Sequence, residues 1–230
     1  MYHFVEDKEF LKRSQNSCVE DLNKLVGSLL EEGISAQFIL VGSGGRNMVT
    51  QNEDGDIDFD YNLLIQKCDD ITDCRFLKET TRKALNKIMR KNGLHDVEDS
   101  TSTLSSKCVY FKDNPDIKFS MDLCIVKKDD KGNWYRLIHQ KTGYTNSDRY
   151  FWNQVPNSSK VSEKAVTLKA NNLWEEVRQC YLDKKNLYLK RNDNNHPSFI
   201  CYIEAVSRGV VLYQNDGTKT CYINKKGIFL

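Results

Sequence analysis

The sequence predicts an α+β chain in two parts, an α/β part to about residue 155 and a helical part, 156–230, after it. Three observations carry this. Strand-like runs with alternating apolar residues are interleaved with helix-period runs in the first 155 residues, long helix-period runs dominate after Pro156, and no internal repeat or low-complexity segment interrupts either part.

From Asp7 to Glu32, Phe10, Val19, Leu22, Leu25, Leu29 and Leu30 recur at helical spacings, with Gly33 placed to end the helix. A strand, Ala36 to Val41, follows, then the small-residue turn Gly42-Ser43-Gly44-Gly45, a linker or short helix through Gln51, and a strand from Asp56 to Ile65. Asp73 to Asn92 reads as a helix capped by Asp73 and closed by Gly93. Strands are expected at Lys107 to Lys112, Ile117 to Val126 and Trp134 to Gln140, the last two joined by the turn at Asp129 to Asn133. Beyond Pro156, Val161 to Leu189 reads as one long helix with a stripe of Val166, Ala170, Leu173, Val177 and Cys180. The pattern breaks at Asn192 to Pro197. A shorter helix, Ser198 to Arg208, ends at Gly209, and Asn215-Asp216-Gly217 reads as the turn of a terminal hairpin.

Composition narrows the function classes. With 34 basic and 32 acidic side chains the net charge is +2, so any polyanionic partner has to be met by a local patch. The N-terminal stretch lacks an apolar signal core and no run is long enough to span a bilayer, which predicts a cytoplasmic protein without membrane partners. The eight cysteines are scattered without a CxxC pair, a pattern of reduced, mostly buried thiols.

The chemistry concentrates in Leu40 to Ile65, where five acids, Glu53, Asp54, Asp56, Asp58 and Asp60, fall within eight residues beside the glycine turn. On a strand Asp56, Asp58 and Asp60 share one face while Ile57, Phe59 and Tyr61 share the other. Crowded carboxylates repel unless a cation neutralises them, and hard oxygen ligands select magnesium, manganese or calcium. An EF-hand starting at Asp56 would place Tyr61 and Lys67 where glycine and glutamate are required. A P-loop and a dinucleotide fingerprint fail as well, because the turn continues Gly45-Arg46-Asn47. A solvated edge strand is the bland alternative. Against it stands Asp122, an acid between Ser120 and Cys124 on the polar face of an otherwise apolar strand. Beside the first strand it would make a set of three carboxylates.

The order Gly42-Ser43, then Gly55-Asp56-Ile57-Asp58-Phe59, then a later strand with Asp122 resembles the polymerase-beta-like nucleotidyltransferase superfamily. The resemblance covers about Phe38 to Val126 and implies a nucleotidyltransferase-type mixed β-sheet flanked by helices, with residues 1–155 as the catalytic domain. It also implies a metal-dependent transfer of a nucleoside monophosphate from an NTP, with ATP the first choice, to an acceptor hydroxyl, releasing pyrophosphate. Asp56, Asp58 and Asp122 would be the catalytic and metal-binding residues for Mg2+ or Mn2+, and Asp58 with Asp60 is the competing pair. Gly42, Ser43, Arg46 and, on the long helix, Lys169 would meet the triphosphate. The acceptor would be a small molecule or a protein hydroxyl, with an RNA end also open. Two other classes stay in view, an inactive nucleotidyltransferase-fold protein with a regulatory role and a structural calcium module.

Overall fold

The computed structural model of the chain describes residues 1–193 and 197–215. These residues form two compact units, Tyr2–Asn157 and a second beginning at Ser158.

In the first unit, β1 (Tyr2–Phe4) leads to α1 (Lys8–Glu31), which begins where the Asp7 carboxylate accepts the Phe10 N–H at 2.8 Å. α1 buries Phe10, Cys18, Leu22, Leu25 and Leu29, and it stops at Gly33, where the Ile34 N–H returns to the Leu29 carbonyl. β2 (Ser35–Leu40), the single helical turn α2 (Gly42–Gly45), β3 (Thr50–Asn52) and β4 (Ile57–Lys67) follow. α3 (Cys74–Lys91) begins with the same device, Asp73 accepting the Phe76 N–H at 2.8 Å. After it come the short strands β5 (Glu98–Asp99), β6 (Leu104–Ser105) and β7 (Val109–Phe111), the long β8 (Asn114–Lys128), β9 (Trp134–Gln140) and β10 (Arg149–Gln154).

The main sheet runs β10-β9-β8-β4-β2, with β6 and β7 also paired to β8 and β5 paired to β6. β4 and β8 are parallel, joined through α3, while the other pairs are antiparallel, so the sheet is mixed as expected. Alternation along β4 and β8 turns Ile57, Phe59, Tyr61, Leu63, Phe119, Met121, Leu123 and Ile125 into one core with the apolar stripes of α1 and α3. Each such side chain contributes about 1.5–3 kcal/mol by leaving water. The opposite face of the same two strands carries Asp58, Asp60, Ser120 and Asp122. β1 and β3 form a separate two-stranded ribbon. Neither was expected from the sequence, nor were β5, β6 and β10.

The second unit consists of α4 (Ser159–Ala170), α5 (Trp174–Lys190) and α6 (Ser198–Asn215). The single long helix expected at Val161 to Leu189 is therefore two. Asn172 adopts φ +59 and the Leu173 N–H returns to the Leu168 carbonyl, a helix ending in which asparagine takes the place of glycine. Two of the five residues of the expected stripe fail with it, since Val166, 67 % exposed, and Ala170 face solvent, while Val177 and Cys180 are buried together with Ala165, Leu168 and Tyr181. Gly209 does not end the last helix. A Cβ there would stand 2.9 Å from Leu168 Cδ1 and from Val177 Cγ2, so the glycine serves close packing between helices. The helix continues to Asn215, which replaces the first strand of the expected hairpin, and the remainder of that hairpin lies outside the described residues. Cys18, Cys74, Cys124, Cys180 and Cys201 are buried free thiols, and Cys108 is an exposed one. Among the described residues no helix is long and apolar enough to cross a membrane.

Candidate active site

The site is built where β2 hands over to β4. The Val41 N–H still pairs with the Asp60 carbonyl at 2.8 Å, and at Gly42 the chain turns away with φ +60. A Cβ on Gly42 would lie 2.0 Å from Asp60 Oδ2. Glycine is thus required twice, for the left-handed dihedral and for the approach of the Asp60 carboxylate. The turn is held by Gly45 N–H to Val41 O at 2.9 Å, Met48 N–H to Ser43 O at 2.9 Å, and Arg46 Nη1 to Gly42 O at 2.6 Å.

Parallel pairing sets Asp58 opposite Ser120 and Asp60 opposite Asp122. Neighbouring strands lie about 4.8 Å apart, so the two carboxylates of the second pair start from adjacent backbones. The Ser120 hydroxyl donates to Asp58 Oδ1, and the Ser105 side chain donates to Asp122. Burial pushes the Asp60 carboxyl up from its ordinary value, the charges of Asp122 and Asp58 push it further, and Arg46 and Arg136 pull it back. Asp122 is raised as well, by burial first and by Asp58 in addition, against the Ser105 hydrogen bond. Three carboxylates are therefore coupled through space. Among the described residues no three His, Cys, Asp or Glu side chains are already converged as a closed metal cage. The donor set, carboxylate oxygens from two adjacent strands, fits a hard divalent cation such as Mg2+ or Mn2+.

The residues expected from the sequence are distributed as follows. Asp58 and Asp122 sit together with Asp60, while Asp56 precedes β4 and its Oδ2 accepts from Cys108 Sγ at 3.0 Å. Gly42, Ser43 and Arg46 form the turn against Asp60. Lys169 lies in the other unit, in the last turn of α4, with its ammonium 4.3 Å from the Trp174 ring centroid.

Two sets of charged residues escaped the sequence reading. Arg136, on β9, is one of two cations whose charge counters the upward push on Asp60. On the helix-facing side of the sheet, His139 Nδ1 lies 2.8 Å from Asp99 Oδ2 and Nε2 lies 3.0 Å from Asp148 Oδ2, while its ring stacks on Tyr150 with centroids 4.2 Å apart. Lys78, 1 % exposed, places Nζ 3.1 Å from Asp99 Oδ1. Burial lowers the Lys78 pKa and Asp99 offsets part of that. This hydrogen-bonded chain, Lys78 to Asp99 to His139 to Asp148, ties α3 to β9.

No protein-family model and no curated protein matches the sequence. Among solved structures the chain is similar to CdnC of Escherichia coli MS115-1 with ATP, at 13 % identity and a TM-score of 0.58, over 93 % of this chain and 62 % of that one. It is similar also to the CdnE cyclic dinucleotide synthase of Elizabethkingia meningoseptica with GTP and Apcpp, at 17 % identity and a TM-score of 0.50, over 86 % of this chain and 75 % of that one. The CD-NTase CdnG of Bradyrhizobium diazoefficiens in complex with GTP matches at 15 % identity and a TM-score of 0.44, over 68 % of this chain and 42 % of that one. The chain thus spans less than two thirds of the CdnG and CdnC chains. At these identities the likeness is one of fold, a mixed sheet flanked by helices and followed by a helical region.

Proposed function

We propose that the protein is a metal-dependent nucleotidyltransferase that moves a nucleoside monophosphate from an NTP to an acceptor hydroxyl and releases pyrophosphate. The observation that carries this reading is the meeting of Asp58, Asp60 and Asp122, from two parallel strands, against a left-handed glycine turn. These three aspartates would hold Mg2+ or Mn2+. Asp56, bonded to Cys108 ahead of the strand, flanks them as an outer acid.

The bound cations would supply charge stabilisation of the attacking and leaving oxygens. The chain's own residues do the rest. Ser120 orients the Asp58 carboxylate and Ser105 orients Asp122. Gly42 lets the turn lie flush against Asp60, so that the Gly42 and Ser43 N–H groups and the Ser43 hydroxyl meet phosphate beside the acids. Arg46, fixed on the Gly42 carbonyl, adds positive charge at the same place. Asp122, whose pKa burial pushes up so that it is the more basic carboxylate, is suited to take the acceptor's proton on Oδ. ATP is the first donor to test, and a second nucleotide's hydroxyl the first acceptor, because the similar folds include one solved with ATP and a cyclic dinucleotide synthase. Small-molecule hydroxyls, protein hydroxyls and an RNA end follow.

The test is pyrophosphate release from NTPs, singly and in pairs, with Mg2+ or Mn2+. Asp58→Asn, Asp60→Asn and Asp122→Asn are each expected to abolish it in folded protein, whereas Asp56→Asn keeps a substantial part. Undiminished release in the Asp60 and Asp122 variants would sink the assignment.

A further inference from the structure

Lys78, on α3, is a buried cation on the helix-facing side of the sheet, its side chain 1 % exposed. Nζ stands 3.4 Å from the Ser100 carbonyl oxygen, 3.3 Å from that of Thr103 and 3.1 Å from Asp99 Oδ1. An ammonium has three N–H donors, and here all three acceptors belong to the turn between β5 and β6. Burying an ammonium is costly, and an apolar side chain would fill the same space without that cost. What the charge does in return is gather one turn. That turn has little else to stand on, because β5 and β6 have two residues each, too few for a hairpin to persist by its own pairing. The Ser100 N–H reaches the Thr103 carbonyl at 3.0 Å, and from β9 the His139 N–H reaches the Thr101 carbonyl at 2.7 Å.

The hairpin ends at the catalytic strand. β6 sets Leu104 opposite Leu123 and Ser105 opposite Asp122. One residue on, the Ser106 N–H donates to the Met121 carbonyl at 2.8 Å, and the Ser106 Oγ accepts the Met121 N–H at 2.9 Å. On the other edge of β8, β4 sets Asp60 opposite Asp122. The backbone that carries Asp122 is thus held between β4 and a short hairpin whose turn is tied to α3 by Lys78.

We propose that Lys78 is a positioning residue for nucleotidyl transfer, which acts through the Asp99 to Thr103 turn and β6 to fix the backbone of β8 at Asp122. The inference rests on the nucleotidyltransferase reading of the acid face. Because Lys78 lies on the helix-facing side, its effect passes through hydrogen-bonded backbone and involves no contact with substrate. Without the ammonium the turn loses its common anchor and β6 loosens, which leaves Met121 to Leu123 supported by β4 alone. A displacement of about 1 Å in a group that holds reacting atoms costs on the order of a hundredfold in rate.

Wild type is compared with Lys78→Gln, Lys78→Met, Ser106→Ala and the double variant Lys78→Gln with Ser106→Ala, all checked for folding by circular dichroism. Ile88→Ala, a change of a buried residue on the same helix, is the control for plain destabilisation. Two Lys78 variants are made so that a folding failure in one leaves the other to decide, and Ser106→Ala tests the last link without touching the buried charge. Hydrogen exchange of the Ser106 and Met121 amides, read by NMR, reports on the hold itself and needs no turnover. In the Lys78 variants both amides are expected to exchange roughly tenfold faster relative to the amides of the β2–β4 pair. In pyrophosphate release per folded molecule, kcat should fall roughly ten- to a hundredfold in the Lys78 variants and less in Ser106→Ala, with KM for the NTP within about twofold of wild type. The double variant should lose no more than the worse of its members, because both act on one position of β8. Unchanged relative exchange at Ser106 and Met121, or unchanged kcat, in the Lys78 variants overturns the proposal, and so does an equal loss of kcat in Ile88→Ala. Absence of release from every NTP in wild type overturns the nucleotidyltransferase reading and the positioning role with it, an outcome distinct from an active enzyme indifferent to Lys78.

Discussion

Gly42→Ala offers the sharpest test of how the turn and the acids depend on each other. The added Cβ has two consequences of different kind. Alanine at φ +60 costs about 1–2 kcal/mol of backbone strain. The methyl would also stand 2.0 Å from Asp60 Oδ2, far inside contact distance. Because that oxygen is the end of a side chain and not backbone, the carboxylate yields and the fold survives, so the stability loss stays near the strain term. The carboxylate must retreat by about 1 Å, a misplacement that costs on the order of a hundredfold in rate when the group holds reacting atoms. Gly44→Ala is the control, since its Cβ would meet only Leu40 Cδ1, at 3.1 Å, without a positive φ. Urea denaturation and pyrophosphate release, normalised to folded protein, separate the two consequences. The reasoning is refuted if Gly42→Ala turns over like wild type per folded molecule, or if Gly44→Ala is equally damaging.

Two further outcomes follow from the packing and the buried charges. Asp148 is held below its ordinary value of 3.8, first by the Thr142 N–H and then by His139. Its folded value being the lower one, its stabilisation is present above the unfolded value and lost as pH falls through the folded one. The stability gap between wild type and Asp148→Asn should be widest near neutrality and close below about pH 3.8, and a gap constant from pH 7 to 3 in denaturant titrations would contradict the hydrogen-bond assignment. Gly209→Ala should destabilise the helical unit, because overpacking against Leu168 and Val177 costs about 1–3 kcal/mol while the gain in helix propensity is about 1 kcal/mol; a raised melting temperature would show that those side chains yield freely.

What the sequence made legible was local. The starts of α1 and α3 were announced by Asp7 and Asp73, their ends by Gly33 and Gly93, and the two faces of β4 and β8 by strict alternation. What it hid depends on partners distant in the chain. β1, β3, β5 and β6 have two or three residues each and exist because of what they pair with. The break between α4 and α5 rests on Asn172 in a left-handed conformation, and an asparagine inside a helical run reads as an exposed polar position. Gly209 looked like a helix stop because its neighbours Leu168 and Val177 belong to other helices. For the acids, the spacing from Ser43 favoured Asp56 with Asp58, whereas the contact of Gly42 with Asp60 arises from the pairing of β2 with β4.

The two buried charge groups on opposite faces of the sheet show why one of them points to a ligand. Lys78, Asp99, His139 and Asp148 alternate, so both carboxylates have a side-chain nitrogen within about 3 Å. Such a set finds its partners within the protein, and its effect is to hold α3 against β9. Asp58, Asp60 and Asp122 are arranged in the contrary way. Their near neighbours are other carboxylates, their direct donors are the neutral side chains Ser120 and Ser105, and the cations Arg46 and Arg136 act at longer range. Repulsion of this kind lowers the stability of the isolated chain, and replacing any one of the three by asparagine would relieve it. A fold that pairs its carboxylates with nitrogens on one face and crowds carboxylates together on the other places the cost where a multivalent cation and a polyanion together would remove it.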